Sequence, residues 1–300
     1  MLTGVHFLLT YKCPYECDHC FVYSSPRAKG TFTLAQITTV LAEARKLGTV
    51  QTIFFEGGEP FLYYPLLLEG VRRAREMGFQ TGIVTNGYFA TSVEDALLWL
   101  KPLQEAGVGA ISFSDDLFHS GSEEDTPAKR ALAAAQQLGI SCGVISISPP
   151  TVTYSEDNET ARGEPIVGGG VRFRGRAVER LTQGLPTRPW QSFTECPYEN
   201  LRDPGRVHVD AYGNVHLCQG LSMGNLWQTP LSELVRAYQA EKHPLCAPLV
   251  EGGPAELAKR YEVPVGEGYI EACHLCYLVR RALIRRFPEY LAPRQVYGLL

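Results

Sequence analysis

No apolar run in this chain is long enough to cross a bilayer, and its first residues lack the basic, apolar and small-residue succession of a secretory signal. Charge of one sign is scarce too. Lys and Arg number 28 against 32 Asp and Glu, and the net charge of −4 gives no electrostatic case for nucleic acid as the main partner. These absences argue against a membrane-spanning protein and a nucleic-acid binder. They lead to a cytoplasmic expectation, in a compartment where thiols stay reduced. With 45% hydrophobic and 20% charged residues, the 300-residue chain has enough apolar material for one large core plus an extension. What it has in unusual supply is cysteine. Nine thiols in a reducing compartment are better explained by metal or cluster ligation than by disulfides.

The thiols fall into two groups. Cys13, Cys17 and Cys20 lie within eight residues, directly after a short apolar run at 5–11. Cys196, Cys218, Cys246, Cys273 and Cys276 fill the last third, and Cys142 reads as a small core residue within a strand. Thiolates are soft ligands for zinc and for iron–sulfur clusters. Three in one loop leave a four-iron cluster with one iron that lacks a protein ligand. Structural zinc asks for four ligands; His19 could supply the fourth, although Asp18 and Cys20 crowd it.

Between the groups the pattern is regular. Thr33-Leu34-Ala35-Gln36 forms a capping-box signature before a helix that Gly48 ends, and helices are expected near 65–77, from 92 onward, and 127–139. Apolar β-rich runs start at 50, 79, 108 and 140. Units of about 30 residues imply parallel strands with helical crossovers. The strand ends gather the polar groups on one working edge: the cysteine loop, Gly57-Gly58-Glu59, Asn86, Ser114-Asp115-Asp116 and His119. Residues 149–170 read as a long loop or lid, 171–173 as a sixth strand, and Pro186 and Pro189 as a domain boundary. Beyond it, a hairpin is expected over 206–218, helices over 231–240 and 273–287, and a solvated basic face at Arg280, Arg281, Arg285 and Arg286.

Cys13-Pro14-Tyr15-Glu16-Cys17-Asp18-His19-Cys20 and Gly57-Gly58-Glu59-Pro60, in this order and one strand apart, together resemble the radical S-adenosylmethionine (SAM) superfamily. Taken alone, the second motif is a glycine turn before a helix. The resemblance implies an α/β fold with a partial (β/α)6 TIM-type barrel over 1–185. It implies a 4Fe-4S cluster with one open iron site on Cys13, Cys17 and Cys20. SAM would bind there, its amino group held by Gly57, Gly58 and Glu59. His19 stands where an aromatic residue usually lies near the adenine. Asn86 resembles the third-strand motif of peptide-modifying members. Ser112, Ser114 and Asp115 resemble the fourth-strand motif that meets the ribose and the SAM carboxylate, although Asp115-Asp116 replaces the usual Asp-Gly. Arg176, in Gly175-Arg176-Ala177, resembles a sixth-strand motif that clamps a carboxylate.

Cys196, Gly213-x4-Cys218 and Cys273-x2-Cys276 resemble the Twitch extension, the short form of the SPASM domain, over 186–300. The interval from Cys196 to Gly213 is longer than usual. That resemblance implies an α+β module holding a second, auxiliary 4Fe-4S cluster on Cys196, Cys218, Cys273 and Cys276; zinc on the same four thiolates is the alternative. Cys246 is the spare, either replacing one of the four or donating a hydrogen atom. His119 is a candidate acid or base. The implied activity is reductive cleavage of SAM to a 5′-deoxyadenosyl radical, followed by hydrogen abstraction from a peptide or small polar substrate, giving oxidation, crosslinking or epimerisation. A flavodoxin or ferredoxin would supply electrons. A first strand at residue 5 leads us to expect no fused N-terminal peptide-recognition domain. Two other classes remain open: an electron-transfer protein with no catalysis of its own, and a zinc-stabilised binding protein.

Overall fold

The computed structural model describes residues 1–121, 124–154 and 164–299. It is a mixed α/β structure built on one eight-stranded sheet. In chain order the first half comprises β1 (Gly4–Thr10), α1 (Leu34–Leu47), β2 (Thr52–Gly57), α2 (Tyr64–Glu76), β3 (Gln80–Thr85), α3 (Val93–Glu105), β4 (Ala110–Ser114), α4 (Leu117–Ser120), α5 (Pro127–Gln137) and β5 (Ser141–Ile145). A hairpin of β6 (Val152–Tyr154) and β7 (Pro165–Val167) and a short α6 (Ala177–Arg180) follow. The last third adds β8 (Arg188–Pro189), β9 (Arg206–Asp210), β10 (Asn214–Cys218), β11 (Leu221–Asn225), α7 (Leu231–Ala237), α8 (Cys246–Arg260), β12 (Gly268–Tyr269) and α9 (Ala272–Leu283).

Local chemistry sets the helix ends. Gln36 N–H donates to Thr33 Oγ1 at 3.3 Å and Thr33 N–H donates back to Gln36 Oε1 at 2.8 Å, completing the capping box of α1. Gly48, left-handed at φ 73°, closes that helix. Its buried stripe of Ile37, Val40, Leu41 and Ala44 packs on the outer face of the sheet. The period-two rule then sorts each strand. Phe7 stacks on Phe55, and the ring of Phe55 lies under Gly70 of α2, on the helix-covered face. His6, Leu8 and Thr10 therefore face the barrel interior, as do Phe54 and Glu56 of β2.

Strand order is β11-β10-β9-β1-β2-β3-β4-β5, and the run from β9 to β5 is parallel throughout. Six parallel strands are present, but the sixth is not residues 171–173. There, Phe173 N–H donates to the Glu271 carboxylate at 2.6 Å instead of to a neighbouring strand. β9 takes the place beside β1, and β10 and β11 extend the sheet in antiparallel fashion. The hairpin expected over 206–218 is thus β9–β10. The loop expected at 149–170 contains β6 and β7, and its residues 155–163 lie outside the described residues. α8 was not legible in the sequence, because Gly252, Gly253 and Pro254 interrupt its pattern. Arg280 is also unlike expectation: at 2% exposure it lies buried, not on a solvated face. Among the described residues, no helix is long and apolar enough to cross a membrane.

Candidate active site and thiol centres

A cavity of about 320 Å³ opens at the ends of the parallel strands. Cys13, Cys17 and Cys20 line it together with Gly57, Gly58, Asn86, His19, Ser114 and His119. The cysteine loop and the glycine pair are fastened to each other through their backbones. Gly58 N–H donates to Thr10 O at 2.7 Å, and Glu59 N–H donates to Lys12 O at 2.8 Å. A Cβ on Gly58 would lie 2.1 Å from Lys12 O, and one on Gly57, where φ is 129°, would lie 2.5 Å from Thr10 O. Glycine is required at both positions by this close approach.

Three donors approach the thiols. Tyr15 N–H and Asn86 Nδ2 each lie 3.5 Å from Cys13 Sγ, and Ser24 N–H lies 3.2 Å from Cys20 Sγ. Burial pushes the Cys13 thiol far up, and the negative charge of Glu59, Cys20 and Cys17 pushes it the same way. A bare Cys13 thiolate is therefore disfavoured unless a cation shares it. Three sulfur donors on one cavity wall fit an iron–sulfur cluster with a vacant corner.

The Glu59 carboxylate differs from expectation. It is fully buried and does not line the cavity. Thr85 Oγ1 donates to its Oε1 at 2.8 Å, Phe61 N–H to the same oxygen at 3.0 Å, and Asn86 N–H to Oε2 at 2.8 Å. Burial raises its pKa to about 7. Its hydrogen bonds fasten the end of β2 to the end of β3, and the backbone at Gly57 and Gly58 is what faces the cavity. Arg176 differs in the same way. It donates from Nη1 to Cys17 O at 2.7 Å and from Nη2 to Ser24 O at 2.6 Å, bracing the cysteine loop from beneath instead of clamping a ligand in the cavity.

On the opposite wall, Ser114 lines the cavity, whereas Ser112 does not and Asp115 faces a smaller neighbouring cleft. Asp116 takes the inward place that the sequence reading gave to Asp115. Its Oδ1 lies 2.7 Å from His119 Nδ1, its Oδ2 lies 3.7 Å from His19 Nε2, and Ile147 N–H donates to Oδ2 at 3.2 Å. Burial alone would lower the pKa of His119, but Asp116 and the Cys17 sulfur raise it to about 10. His19 stacks on Phe118 with centroids 4.7 Å apart, and burial lowers its pKa to about 4. Strand periodicity was the available signal: Ser112, Ser114 and Asp116 share one face. Arg172 and Arg174 line the cavity where the sequence reading named Arg176; alternation puts all three on one parity and does not separate them.

Cys196, Cys218, Cys273 and Cys276 line a second, smaller cavity together with Arg174 and Arg280. Arg174 Nη1 lies 3.1 Å from Cys218 Sγ, and Arg280 Nε donates to Cys276 O at 3.4 Å. Burial pushes the Cys276 thiol up to about 11 and raises Cys196 and Cys273 as well. Four sulfurs beside the buried Arg280 guanidinium and the half-buried Arg174 fit an anionic metal–thiolate centre. Cys246 lies outside this lining. It is fully buried at the start of α8, with its thiol against the Tyr238 hydroxyl, and does not line the main cavity.

Comparison with known proteins follows the same lines. The YydG protein of Bacillus subtilis (strain 168), provisionally named for peptide biosynthesis, is 28% identical over 124 residues, covering 41% of this chain and 39% of its own. The PqqA peptide cyclase of Streptomyces rochei is 39% identical over 93 residues, covering 30% of this chain and 24% of its own. The chain thus aligns with well under half the length of these relatives. In fold, it resembles BtrN solved with AdoMet and 2-DOIA, with a TM-score of 0.50 and 16% identity over 78% of this chain and 82% of that one. BtrN in an open conformation gives the same TM-score over 86% and 89%. The sequence profile described as the radical SAM superfamily matches residues 7–162, more than half the chain, and the protein belongs to that superfamily.

Proposed function

We propose that this protein is a peptide-modifying radical SAM enzyme of the SPASM/Twitch type, with a 4Fe-4S cluster and SAM in the main cavity and an auxiliary 4Fe-4S cluster in the second. The observation that carries this is the fastening of Gly57 and Gly58 onto the backbone of the three-cysteine loop at the mouth of one cavity. Cys13, Cys17 and Cys20 would hold the first cluster. When bound, cluster and SAM supply a radical able to remove hydrogen from an unreactive carbon. The chain's own residues hold and shield. Arg176 braces the loop carbonyls, Asn86 donates toward the Cys13 sulfur, and the Gly57–Gly58 backbone offers polar groups for the amino-acid end of SAM. His19, backed by the ring of Phe118, offers a flat surface for the adenine. Asp116 orients His119, which can give up or retain a proton at the cavity wall.

Residues 186–300, apart from β9 in the parallel sheet, would form the auxiliary-cluster module, with Cys196, Cys218, Cys273 and Cys276 as ligands. The names of the two aligned relatives favour a peptide as substrate. A flavodoxin or ferredoxin would deliver the electron. The test is anaerobic reconstitution with reductant and SAM, followed by mass spectrometry for 5′-deoxyadenosine and for a mass change in peptides encoded beside the gene. Serine at Cys13, Cys17 and Cys20 together should abolish 5′-deoxyadenosine. Persistent cleavage in that variant would overturn the assignment.

A further inference from the structure

Below the cavity, three side chains that the radical chemistry leaves without a role meet inside the barrel. His6 of β1, Glu56 of β2 and His208 of β9 come from three adjacent parallel strands, and His6 and His208 are direct cross-strand partners. His6 Nδ1 lies 3.0 Å and His208 Nε2 2.8 Å from one and the same oxygen, Oε1 of Glu56. One ligand atom from each residue lies within 4.8 Å of the other two.

With an N–H turned toward it from each imidazole, the one carboxylate oxygen accepts two hydrogen bonds. The same convergence also places three ligand atoms around one point. Beside His208 stands Gln219, whose amide nitrogen is 3.5 Å from each ring nitrogen. Its carbonyl oxygen is buried without a hydrogen-bond partner among the described residues. A half-turn of the amide exchanges its oxygen and nitrogen. The oxygen can then accept from His208 Nδ1–H. That tautomer turns a bare Nε2 lone pair toward a carboxylate oxygen 2.8 Å away, a repulsive contact unless a cation lies between them.

We propose that His6, Glu56 and His208 form a mononuclear site for a divalent transition-metal ion of the zinc or ferrous class, separate from both thiol centres. Two imidazoles and one carboxylate are ligands both ions accept. Gln219 supplies the outer hydrogen bond that fixes a ligating imidazole in its tautomer. Glu56 also lines the main cavity, which puts the site beside the space where substrate would lie. An ion there would polarise a substrate oxygen or bound water. His6 lines a cleft at the opposite ends of the strands, which gives the ion a way in.

The test uses the full chain with its thiol sites first filled with iron, equilibrated with zinc under anaerobic conditions and then desalted. Elemental analysis reads zinc separately from iron, and zinc K-edge absorption reads the ligand type. The wild type should retain about one zinc per chain, bound by nitrogen and oxygen at about 2.0–2.2 Å with imidazole scattering and no sulfur. Glu56→Gln, His208→Gln and the more accessible His6→Gln should each weaken zinc retention at least about tenfold, with iron content unchanged. No retained zinc in the wild type, a sulfur shell, or variants that keep their zinc would each overturn the site. If an interior variant fails to fold, the wild-type absorption edge still decides. SAM cleavage is not read, so failure here leaves the radical SAM assignment untouched.

Discussion

His243 makes hydrogen bonds that only a neutral imidazole can satisfy. Its Nε2–H donates to Ser222 O at 2.9 Å, while Nδ1 accepts the N–H groups of Leu245 at 3.2 Å and Cys246 at 3.1 Å. Burial lowers its pKa below the ordinary histidine value of about 6.5. The unfolded chain therefore takes up a proton before the folded one does. This contribution to stability is complete above that ordinary value and is lost as the pH falls from there toward the folded pKa. His243→Gln should cost about 1–2 kcal/mol at pH 7.5. The gap between wild type and variant should narrow by pH 5.5 in urea unfolding; a gap that stays constant would show that His243 is not held neutral. Single residues also mark the limit of sequence reading. Glu59 and Arg176 were found as important positions, but their side chains hold neighbouring backbone in place instead of meeting a ligand. Sequence supplies a residue's type and approximate place. Which way a carboxylate turns depends on donors such as Asn86 N–H, 27 residues away. Asp116 was within reach, because alternation along an extended segment fixes which of two neighbours points inward; Arg174 was not, since it shares its parity with Arg176.

Elements with an unbroken hydrophobic period were legible. The capping box of α1 and the glycines that end its neighbours put the first five strands of the barrel close to their observed bounds. α8 escaped because it is two helical pieces joined at Gly252 and Gly253, both with non-helical dihedrals. The join has a structural purpose. Gly253, at φ 65°, leaves room for the 193–195 segment, and a Cβ there would lie 2.3 Å from Glu195 N. Ala255 N–H also donates to Phe193 O at 3.1 Å. The kink thus seats the backbone that leads directly into Cys196. Gly253→Ala should destabilise the protein by about 2–4 kcal/mol through backbone strain and overlap. On the proposed two-cluster reading, it should also reduce iron from two clusters' worth toward one, with the loss confined to the auxiliary centre. Iron analysis with electron paramagnetic resonance of the reduced protein checks this. Retention of both cluster signals would mean that the kink does not position Cys196. α9 shows the converse error: Arg280 belongs to a basic run in sequence, yet its helix face turns it toward buried thiols.

For the whole molecule, the sequence gives two groups of thiols but not the path between them. The sheet supplies part of that path. β9 pairs with β1, so the strand leading to Cys218 through the β9–β10 hairpin is continuous with the strand leading to Cys13. Tyr11 OH donates to Asp210 Oδ2 at 2.9 Å, and His216 Nε2 lies 3.1 Å from the same oxygen, tying both halves through one buried carboxylate. Arg174 completes the connection. It lines both cavities, lies 3.1 Å from Cys218 Sγ, and has an Nε with no partner among the described residues. Its half-buried charge stabilises added electrons on a thiolate centre, and it does so most for the nearer one. Replacing it with methionine keeps the volume and removes the charge. On the proposed two-cluster reading, Arg174→Met should therefore make the auxiliary centre harder to reduce, lowering its midpoint potential by roughly tens of millivolts, while a cluster on Cys13, Cys17 and Cys20 shifts less. A redox titration followed by electron paramagnetic resonance separates the two centres. Equal shifts at both, or none at either, would mean that Arg174 sits between the cavities only to fill space.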